Sequence, residues 1–197
     1  MFKWILRLFG KPSAASPAPA LPNLLYASTM SFTVEPRLTS FDERKVFTPN
    51  KGSKVIIPSA VVLHHSDGSY RGGVAWISNP ASKVSYHVLI ARDGRRTVFC
   101  SDTERAWHAG KSNWQGRSDL NSWSLGVAWE GNTYEYPLGN AAIDSALEYL
   151  LPRLKKWNIS RDMVLDHRLV SPGRKTDLAP AQYNKFQERL WAALAAN

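Results

Sequence analysis

The sequence contains a single cysteine, Cys100, among its 197 residues. One cysteine excludes an intrachain disulfide, so folding does not depend on an oxidising compartment. It also excludes a zinc cage built from several thiolates, which is the common form of a structural zinc site. A zinc site in this chain would have to use histidine and carboxylate ligands instead.

Acidic residues are scarce relative to basic ones. The chain has 16 Asp and Glu against 25 Lys and Arg, which gives a formal net charge of +9. Such an excess favours a polyanionic partner: nucleic acid, acidic lipid or the anionic cell envelope. The basic residues are dispersed and no nucleic-acid motif accompanies them, so we do not expect a nucleic-acid partner.

The N-terminal residues 1–11 interleave apolar and basic side chains. This stretch is too short to span a membrane, and Arg7 interrupts the apolar core that a signal peptide needs. An amphipathic helix on an anionic membrane surface is one interpretation, and a disordered start or a helix packed on the domain is the other. With no clear signal peptide, we expect synthesis in the cytoplasm.

Residues 11–22 are rich in Pro, Ala and Ser and are predicted to form a linker. We therefore divide the chain into residues 1–23, a basic segment with its linker, and residues 24–197, a globular domain whose core covers about residues 54–195. Residues 24–53 fit either an N-terminal hairpin or an extended wrap over the domain.

Hydrophobic periodicity predicts an α/β fold: one domain with a central mixed β-sheet flanked by helices, preceded by the N-terminal extension. Buried strands are predicted at residues 54–57 and 60–65, and further strands at residues 84–91, 96–100, 125–129 and 163–165. Helices are predicted at residues 140–157 and 181–195, the second after Pro180.

Three separate segments carry side chains that zinc accepts as ligands: the pair His64 and His65, then His167, then Asp177. Three protein ligands with a fourth position open are typical of a catalytic zinc. The set therefore indicates hydrolysis. Because side chains alternate along a strand, only one of His64 and His65 can face such a site.

Four motifs occur in order around these segments. They are residues 84–94 (VSYHVLIARDG), 105–110 (RAWHAG), 124–131 (SLGVAWEG) and 172–177 (PGRKTD). In these motifs the chain resembles the zinc-dependent N-acetylmuramoyl-L-alanine amidases, which include phage lysozyme-amidases, amidases that recycle anhydro-muropeptides, and peptidoglycan recognition proteins. The resemblance implies hydrolysis of the amide bond between N-acetylmuramic acid and L-alanine in peptidoglycan or a muropeptide, and with it action at the bacterial envelope.

The resemblance also implies roles for individual residues. His64, His167 and Asp177 would be the zinc ligands, with His64 preferred to His65 on family position. Lys175 would stabilise the oxyanion that develops on the substrate carbonyl. Tyr86 would orient water or donate to the same oxyanion, as in phage amidases.

At Asp177 the chain resembles the recycling amidases, but at one other position it departs from them. Recycling amidases lack the tyrosine and place a glutamate where this chain has Ala128. Glu130 lies two residues further along the same strand face and is an alternative base, although family position does not support it.

Five residues are expected to contact the substrate: His65, Lys83, Trp107, His108 and Arg117. We expect a monomeric zinc hydrolase that serves as a phage endolysin or a bacterial wall-turnover enzyme. A recycling amidase for soluble anhydro-muropeptides is an alternative, as is a peptidoglycan-binding module without catalysis. A third alternative is a membrane-associated or partner-binding protein that uses the fold as a scaffold.

Overall fold

The computed structural model describes residues 41–196. The predicted segment of residues 1–11, the linker and residues 24–40 lie outside the described residues, so the predictions made for them stay predictions. None of the helices within residues 41–196 is long and apolar enough to cross a membrane.

The secondary structure alternates short strands with a few helices. The strands are β1 (Glu43–Lys45), β2 (Lys51–Val55), β3 (Ala60–His65), β4 (Val88–Ile90), β5 (Arg96–Val98), β6 (Glu104–Ala106), β7 (Asn113–Trp114), β8 (Arg117–Ser118), β9 (Ser124–Trp129) and β10 (Val164–Asp166). The α-helices are α1 (Tyr70–Ser78), α2 (Asn140–Trp157), α3 (His167–Val170) and α4 (Pro180–Ala195).

The central sheet has six strands in the order β1-β5-β4-β9-β3-β10. Strands β4 and β5 run antiparallel, and the other neighbouring pairs run parallel. The predicted mixed sheet is therefore confirmed. Strands β2 and β6 form a separate antiparallel pair, and β7 and β8 form another.

Alternating side chains give the central strands two different faces. On β3 and β9, the odd-numbered residues pack with α2 and α4 in the larger hydrophobic core. The apolar stripe of α2 explains this packing, because its buried residues recur every three or four positions. The even-numbered residues of both strands point to the opposite face, where α1, α3 and the long loops lie.

An ion-pair network connects the edge strand β1 to the helical layer. The Arg96 guanidinium on β5 is largely buried and contacts Glu43 at 2.7 Å and Glu148 at 2.9 Å. It also donates to the Ser145 carbonyl oxygen at 3.2 Å. A buried guanidinium is tolerable only when its donors are satisfied, so these contacts fix β1, β5 and α2 together.

Two strand predictions need correction. Residues 54–57 do not form a buried strand: β2 ends at Val55 and pairs only with β6 at the surface, so Val55 and Ile57 are exposed while Ile56 alone is buried. The predicted strand at residues 84–91 is regular only over β4, because Ser85 pairs with Trp107 instead of following the central sheet. Since β1 pairs in parallel with β5, the described part of residues 24–53 is not a hairpin.

Candidate metal centre

Strand β3 delivers His64 to the loop-covered face of the sheet. His64 shares the face of Ala60 and Val62, whereas His65 shares the face that packs toward α2 and α4. His64 pairs in register with Ala128 on the neighbouring strand β9. Ala128 is buried and brings no polar group to this position.

The segment after β10 supplies the other two side chains. His167 is the first residue of α3, and the Asp166 carboxylate caps that helix by accepting from Leu169 N at 2.8 Å. The chain then returns so that Arg168 N donates to the Asp177 carbonyl oxygen at 2.8 Å. This backbone contact places the Asp177 side chain beside His167.

Three potential ligand atoms converge at one point. His64 Nδ1 lies 3.0 Å from His167 Nδ1, and each of these nitrogens lies 3.1 Å from Asp177 Oδ2. All three residues are buried. Zinc bonds of about 2.0–2.1 Å in a tetrahedron put ligand atoms roughly 3.3 Å apart, so the spacing suits one small cation.

The partner of His167 Nε2 defines the tautomer of that ring. Nε2 lies 3.0 Å from the Ala109 carbonyl oxygen, which can only accept, so the proton belongs on Nε2. In the neutral imidazole, Nδ1 then presents a lone pair to the centre. This is the arrangement that metal-binding histidines commonly have.

A chain of hydrogen bonds defines the tautomer of His64 in the same way. Ser124 Oγ donates to the Leu120 carbonyl at 2.7 Å and so faces His108 Nε2, 3.5 Å away, as an acceptor. His108 Nδ1 is then the acceptor for His64 Nε2, at 3.1 Å. We therefore assign the His64 proton to Nε2, which leaves a lone pair on Nδ1.

The convergent atoms thus need a cation. With these tautomers, two imidazole lone pairs and a carboxylate oxygen face one another at 3.0–3.1 Å with no proton between them. Three acceptors in contact repel one another unless a positive charge lies between them. The residues present therefore fit a divalent cation, and two imidazoles with one carboxylate suit zinc.

The ionisation of these groups agrees with metal binding. Burial lowers the pKa of His64 to about 4, with a further contribution from His167, so the ring is neutral at pH 7. Burial also lowers the pKa of His108 well below its usual value. Burial by itself raises the pKa of the Asp177 carboxyl, and proton donation and positive charge from His167 and His64 lower it; once both Nδ1 atoms present lone pairs, a bound cation would take over that lowering.

Tyr86 borders the centre, with its ring centroid 5.1 Å from that of His64. Burial, followed by the charges of Asp177 and Asp67, raises the pKa of its phenol above the usual value. The hydroxyl therefore stays protonated at neutral pH and is available as a donor. Lys175 lies in the exposed loop two residues before Asp177, and its positive charge contributes, after burial and other groups, to the lowered pKa of His64.

The Glu130 carboxylate forms an ion pair with Arg92. Its carboxylate lies 3.3 Å from Arg92 Nε, and the arginine stacks over the ring of Tyr136 at 4.0 Å. Glu130 follows the end of β9 at Trp129 and lies two residues beyond Ala128, about 7 Å further along the chain. Its participation in the chemistry remains a prediction that this geometry does not favour.

Two of the predicted substrate contacts are buried within the protein. His65 places Nδ1 2.9 Å from Thr133 Oγ1 and Nε2 3.3 Å from Asp67, on the face away from His64. His108 lies behind His64, and a Cβ added to Gly126 would come within 2.5 Å of its ring. His108 is therefore buried behind the proposed metal ligand His64 and is not at the protein surface.

The other three predicted substrate contacts are at least partly accessible. Trp107 is half-buried and its backbone pairs with Ser85, next to Tyr86. Lys83 is exposed. Arg117 donates to Ser59 Oγ at 3.1 Å, and Ser59 precedes β3, roughly 16 Å along the strand from His64. Arg117 therefore lies toward the end of β3 away from His64, and its contact with the substrate stays a prediction.

The supporting residues were not predicted from the sequence. Asn121 Oδ1 accepts from His108 N at 3.0 Å and from Ala109 N at 2.7 Å, which fixes the loop that holds both supports. Arg174 Nη2 donates to the Ala109 carbonyl at 2.6 Å and also approaches His167. The RAWHAG motif contained the signal, since His108 and Ala109 supply one support to each histidine ligand.

Comparison with known proteins gives a consistent result. Residues 53–182 match the sequence profile described as N-acetylmuramoyl-L-alanine amidase. The chain is 38% identical over 109 residues to the 1,6-anhydro-N-acetylmuramyl-L-alanine amidase AmpD of Haemophilus influenzae, covering 55% of this chain and 58% of that protein. It is 26% identical over 135 residues to the N-acetylmuramoyl-L-alanine amidase AmiD of Escherichia coli, covering 61% of this chain and 48% of that protein. The chain thus spans about half the length of these relatives.

Solved structures show the same fold. A selenomethionine derivative of AmpD superposes with a TM-score of 0.64 at 24% identity, covering 76% of this chain and 94% of that one. Escherichia coli AmiD in complex with its substrate, anhydro-N-acetylmuramic acid-L-Ala-D-γ-Glu-L-Lys, gives a TM-score of 0.58 at 23% identity, covering 69% of this chain and 59% of that one.

Proposed function

The chain belongs to the N-acetylmuramoyl-L-alanine amidase family, and from that membership we propose that it hydrolyses the amide bond between the lactyl group of N-acetylmuramic acid and L-alanine. The observation that carries the proposal is the convergence of His64 Nδ1, His167 Nδ1 and Asp177 Oδ2 within 3.1 Å of one another. Loss of a ligand would have favoured a binding module without catalysis, and the full set supports an enzyme.

His64, His167 and Asp177 would hold zinc. When bound, zinc lowers the pKa of water and polarises a carbonyl. The chain's own contribution is to present two imidazole lone pairs and one carboxylate in a fixed arrangement. His108 and the Ala109 carbonyl maintain it by holding the Nε2 protons of His64 and His167.

Tyr86 and Lys175 would act on the substrate carbonyl. The Tyr86 hydroxyl is protonated at neutral pH and can donate to the oxygen on which negative charge develops. Lys175 would bring a positive charge to the same oxygen from the loop that also carries Asp177. Ala128 has no proton to exchange, so proton handling falls to Tyr86 rather than to the neighbouring strand β9.

We further propose that intact peptidoglycan in the bacterial envelope is a substrate. The net charge of +9 supports this, because a basic protein is attracted to an anionic wall. Such an enzyme would serve wall turnover or lysis, as a bacteriolytic endolysin does. Similarity to AmpD makes soluble anhydro-muropeptides the competing substrate.

The test compares hydrolysis of purified sacculi with hydrolysis of a soluble anhydro-muropeptide by the zinc-loaded protein. Both ligand variants, His64→Ala and His167→Ala, should lose zinc and activity, whereas His65→Ala should retain zinc because its ring faces the other side of the sheet. Activity on the soluble anhydro-muropeptide alone would instead identify a recycling amidase. Binding of sacculi without hydrolysis by a zinc-loaded protein would identify a binding module.

A further inference from the structure

The side chain of Lys175 has no partner of its own in the part of the chain that the structure describes. It makes no hydrogen bond or ion pair there. Its charge nevertheless acts at the metal centre, because, after burial and His167, it helps to lower the pKa of His64. A lysine side chain is long and flexible, so an ammonium that nothing holds samples many positions. Its place relative to the metal centre therefore depends on how firmly the backbone at residue 175 is fixed.

Arg174, the residue before Lys175, is bonded to a neighbouring loop. Its Nη2 group donates to the Ala109 carbonyl at 2.6 Å and to the Lys111 carbonyl at 2.9 Å. Its Nε group also donates to the Lys111 carbonyl, at 3.2 Å. Ser171 Oγ accepts from Arg174 Nη2 at 2.7 Å and donates to the Lys111 carbonyl at 2.8 Å. Because a guanidinium holds its donors in one plane, these bonds define the path of the backbone into Lys175.

Thr176, the residue after Lys175, is held by a different loop. The hydroxyl of Tyr134 donates to the Thr176 carbonyl oxygen at 3.1 Å. Tyr134 lies in the loop that follows β9, and its amide donates to Asn132 Oδ1 at 2.9 Å within that loop. Each neighbour of Lys175 is therefore bonded to a loop from a separate part of the sequence.

We propose that Arg174 and Tyr134 are positioning residues, which fix the backbone at residue 175 and so hold the Lys175 ammonium at the substrate carbonyl. The inference rests on the proposed function, which gives Lys175 its role at that carbonyl. Neither residue has to touch the substrate, since a displacement of about 1 Å at a reacting group can cost about a hundredfold in rate. Direct contact of the exposed Tyr134 ring with the substrate is the competing explanation, and kinetic coupling to Lys175 distinguishes the two.

Kinetic coupling is measured with zinc-saturated protein and a soluble muramoyl peptide. Tyr134→Phe removes only the hydroxyl and should lower kcat about threefold, and Arg174→Ala should lower it about tenfold, with KM unchanged in both. In the Lys175→Ala background neither substitution should lower kcat further, because the group that they position is absent. Losses that persist in that background would overturn the positioning role, since Tyr134 would then contact the substrate or Arg174 would act through the metal ligands.

Tyr136 provides the matched control, since it lies two residues beyond Tyr134 and is 48% exposed, against 55% for Tyr134. Its ring stacks with Arg92, and its hydroxyl makes no hydrogen bond within residues 41–196. Tyr136→Phe should therefore leave kcat unchanged. A loss equal to that of Tyr134→Phe would overturn the role of the bond to Thr176.

A spin label at residue 175 measures the positioning without hydrolysis. The only cysteine, Cys100, is 1% exposed, so a thiol-reactive nitroxide would label Lys175→Cys selectively. The electron paramagnetic resonance spectrum should be broad in this protein, and narrower, with faster motion, once Tyr134→Phe or Arg174→Ala is added. Tyr136→Phe should leave the spectrum unchanged. Equal line widths in all of these proteins would overturn the inference.

The two measurements separate this inference from the proposed function. Wild-type kcat in Lys175→Ala would remove the role proposed for Lys175, and the spectra would then judge alone whether Arg174 and Tyr134 fix this loop. A large loss of kcat in Lys175→Ala, with spectra that neither Tyr134→Phe nor Arg174→Ala changes, would keep the proposed function and overturn the positioning.

Discussion

The hydrogen bond from His64 Nε2 to His108 Nδ1 makes His108 the most informative position to change. The structure predicts that His108 holds the proton of His64 on Nε2, which directs the Nδ1 lone pair at the metal. His108→Leu fills similar space but cannot accept that proton. His108→Asn keeps an acceptor oxygen close to the position of Nδ1.

The magnitude follows from the group left unpaired. His64 is 1% exposed, so in His108→Leu its Nε2 proton would be buried without an acceptor, at a cost of about 1–3 kcal/mol. Outer residues that orient a histidine ligand typically change metal affinity 10–100-fold. We therefore expect His108→Leu to bind zinc about 10–100-fold more weakly, and His108→Asn to stay within about threefold of the wild type.

Competition with a chromophoric chelator would measure the zinc affinity of each apo protein, with thermal unfolding of the apo forms recorded alongside. His65→Asn is the control, because the ring of His65 contacts Thr133 on the other face and should not influence zinc. Wild-type affinity in His108→Leu would refute the reasoning. So would equal losses in the leucine and asparagine variants, since packing rather than the acceptor would then be responsible.

Three further predictions concern catalysis, the N-terminus and acid stability. Lys175→Ala should keep zinc and lose roughly a hundredfold or more in kcat, and Tyr86→Phe should lose less. If Glu130→Gln lost more activity than Tyr86→Phe in the same assay, proton handling would belong to Glu130 and not to Tyr86. A variant lacking residues 1–21 should cleave sacculi normally but bind anionic vesicles less tightly than the full-length protein. Added salt should weaken vesicle binding by the full-length protein in the same way. Equal vesicle binding by the two proteins would contradict this prediction. Burial lowers the pKa of His87 to about 4, so unfolding takes up a proton at this residue as the pH drops from 6.5 toward 4. His87 should therefore lower the free energy of unfolding by about 1.4 kcal/mol per pH unit over this range. Chemical denaturation should show that the free energy of unfolding depends less steeply on pH in His87→Gln, and identical slopes would exclude this contribution.

The elements with strong periodicity were predicted well from the sequence. Helix α2 has the predicted bounds, and α4 begins one residue earlier because Pro180 occupies its first turn, where no amide hydrogen is needed. Helix α1 was missed because Gly72 and Gly73 mask its helical pattern. Tertiary contact with the sheet, rather than local propensity, explains why those residues are helical.

The metal centre was predictable as a set of residue types but not as an arrangement. Alternation along β3 correctly implied that His64 and His65 face opposite sides of the sheet. The supports of the ligands were not predicted, because a contact such as His108 with His64 joins residues 44 positions apart and depends on the packing of a loop over Gly126. Arg117 was expected to contact the substrate; it bonds to Ser59, toward the end of β3 away from His64, so its contact with substrate stays a prediction.

The most direct test of the account is to identify the bond that is cleaved. Zinc-loaded protein would be incubated with purified sacculi, and the released material analysed by mass spectrometry with labelling of new amino termini. The account predicts peptides that begin with free L-alanine and glycan strands that remain intact, both abolished by chelation and restored by zinc. Release of reducing sugar ends, or cleavage within the peptide, would contradict it, as would full activity in protein free of metal.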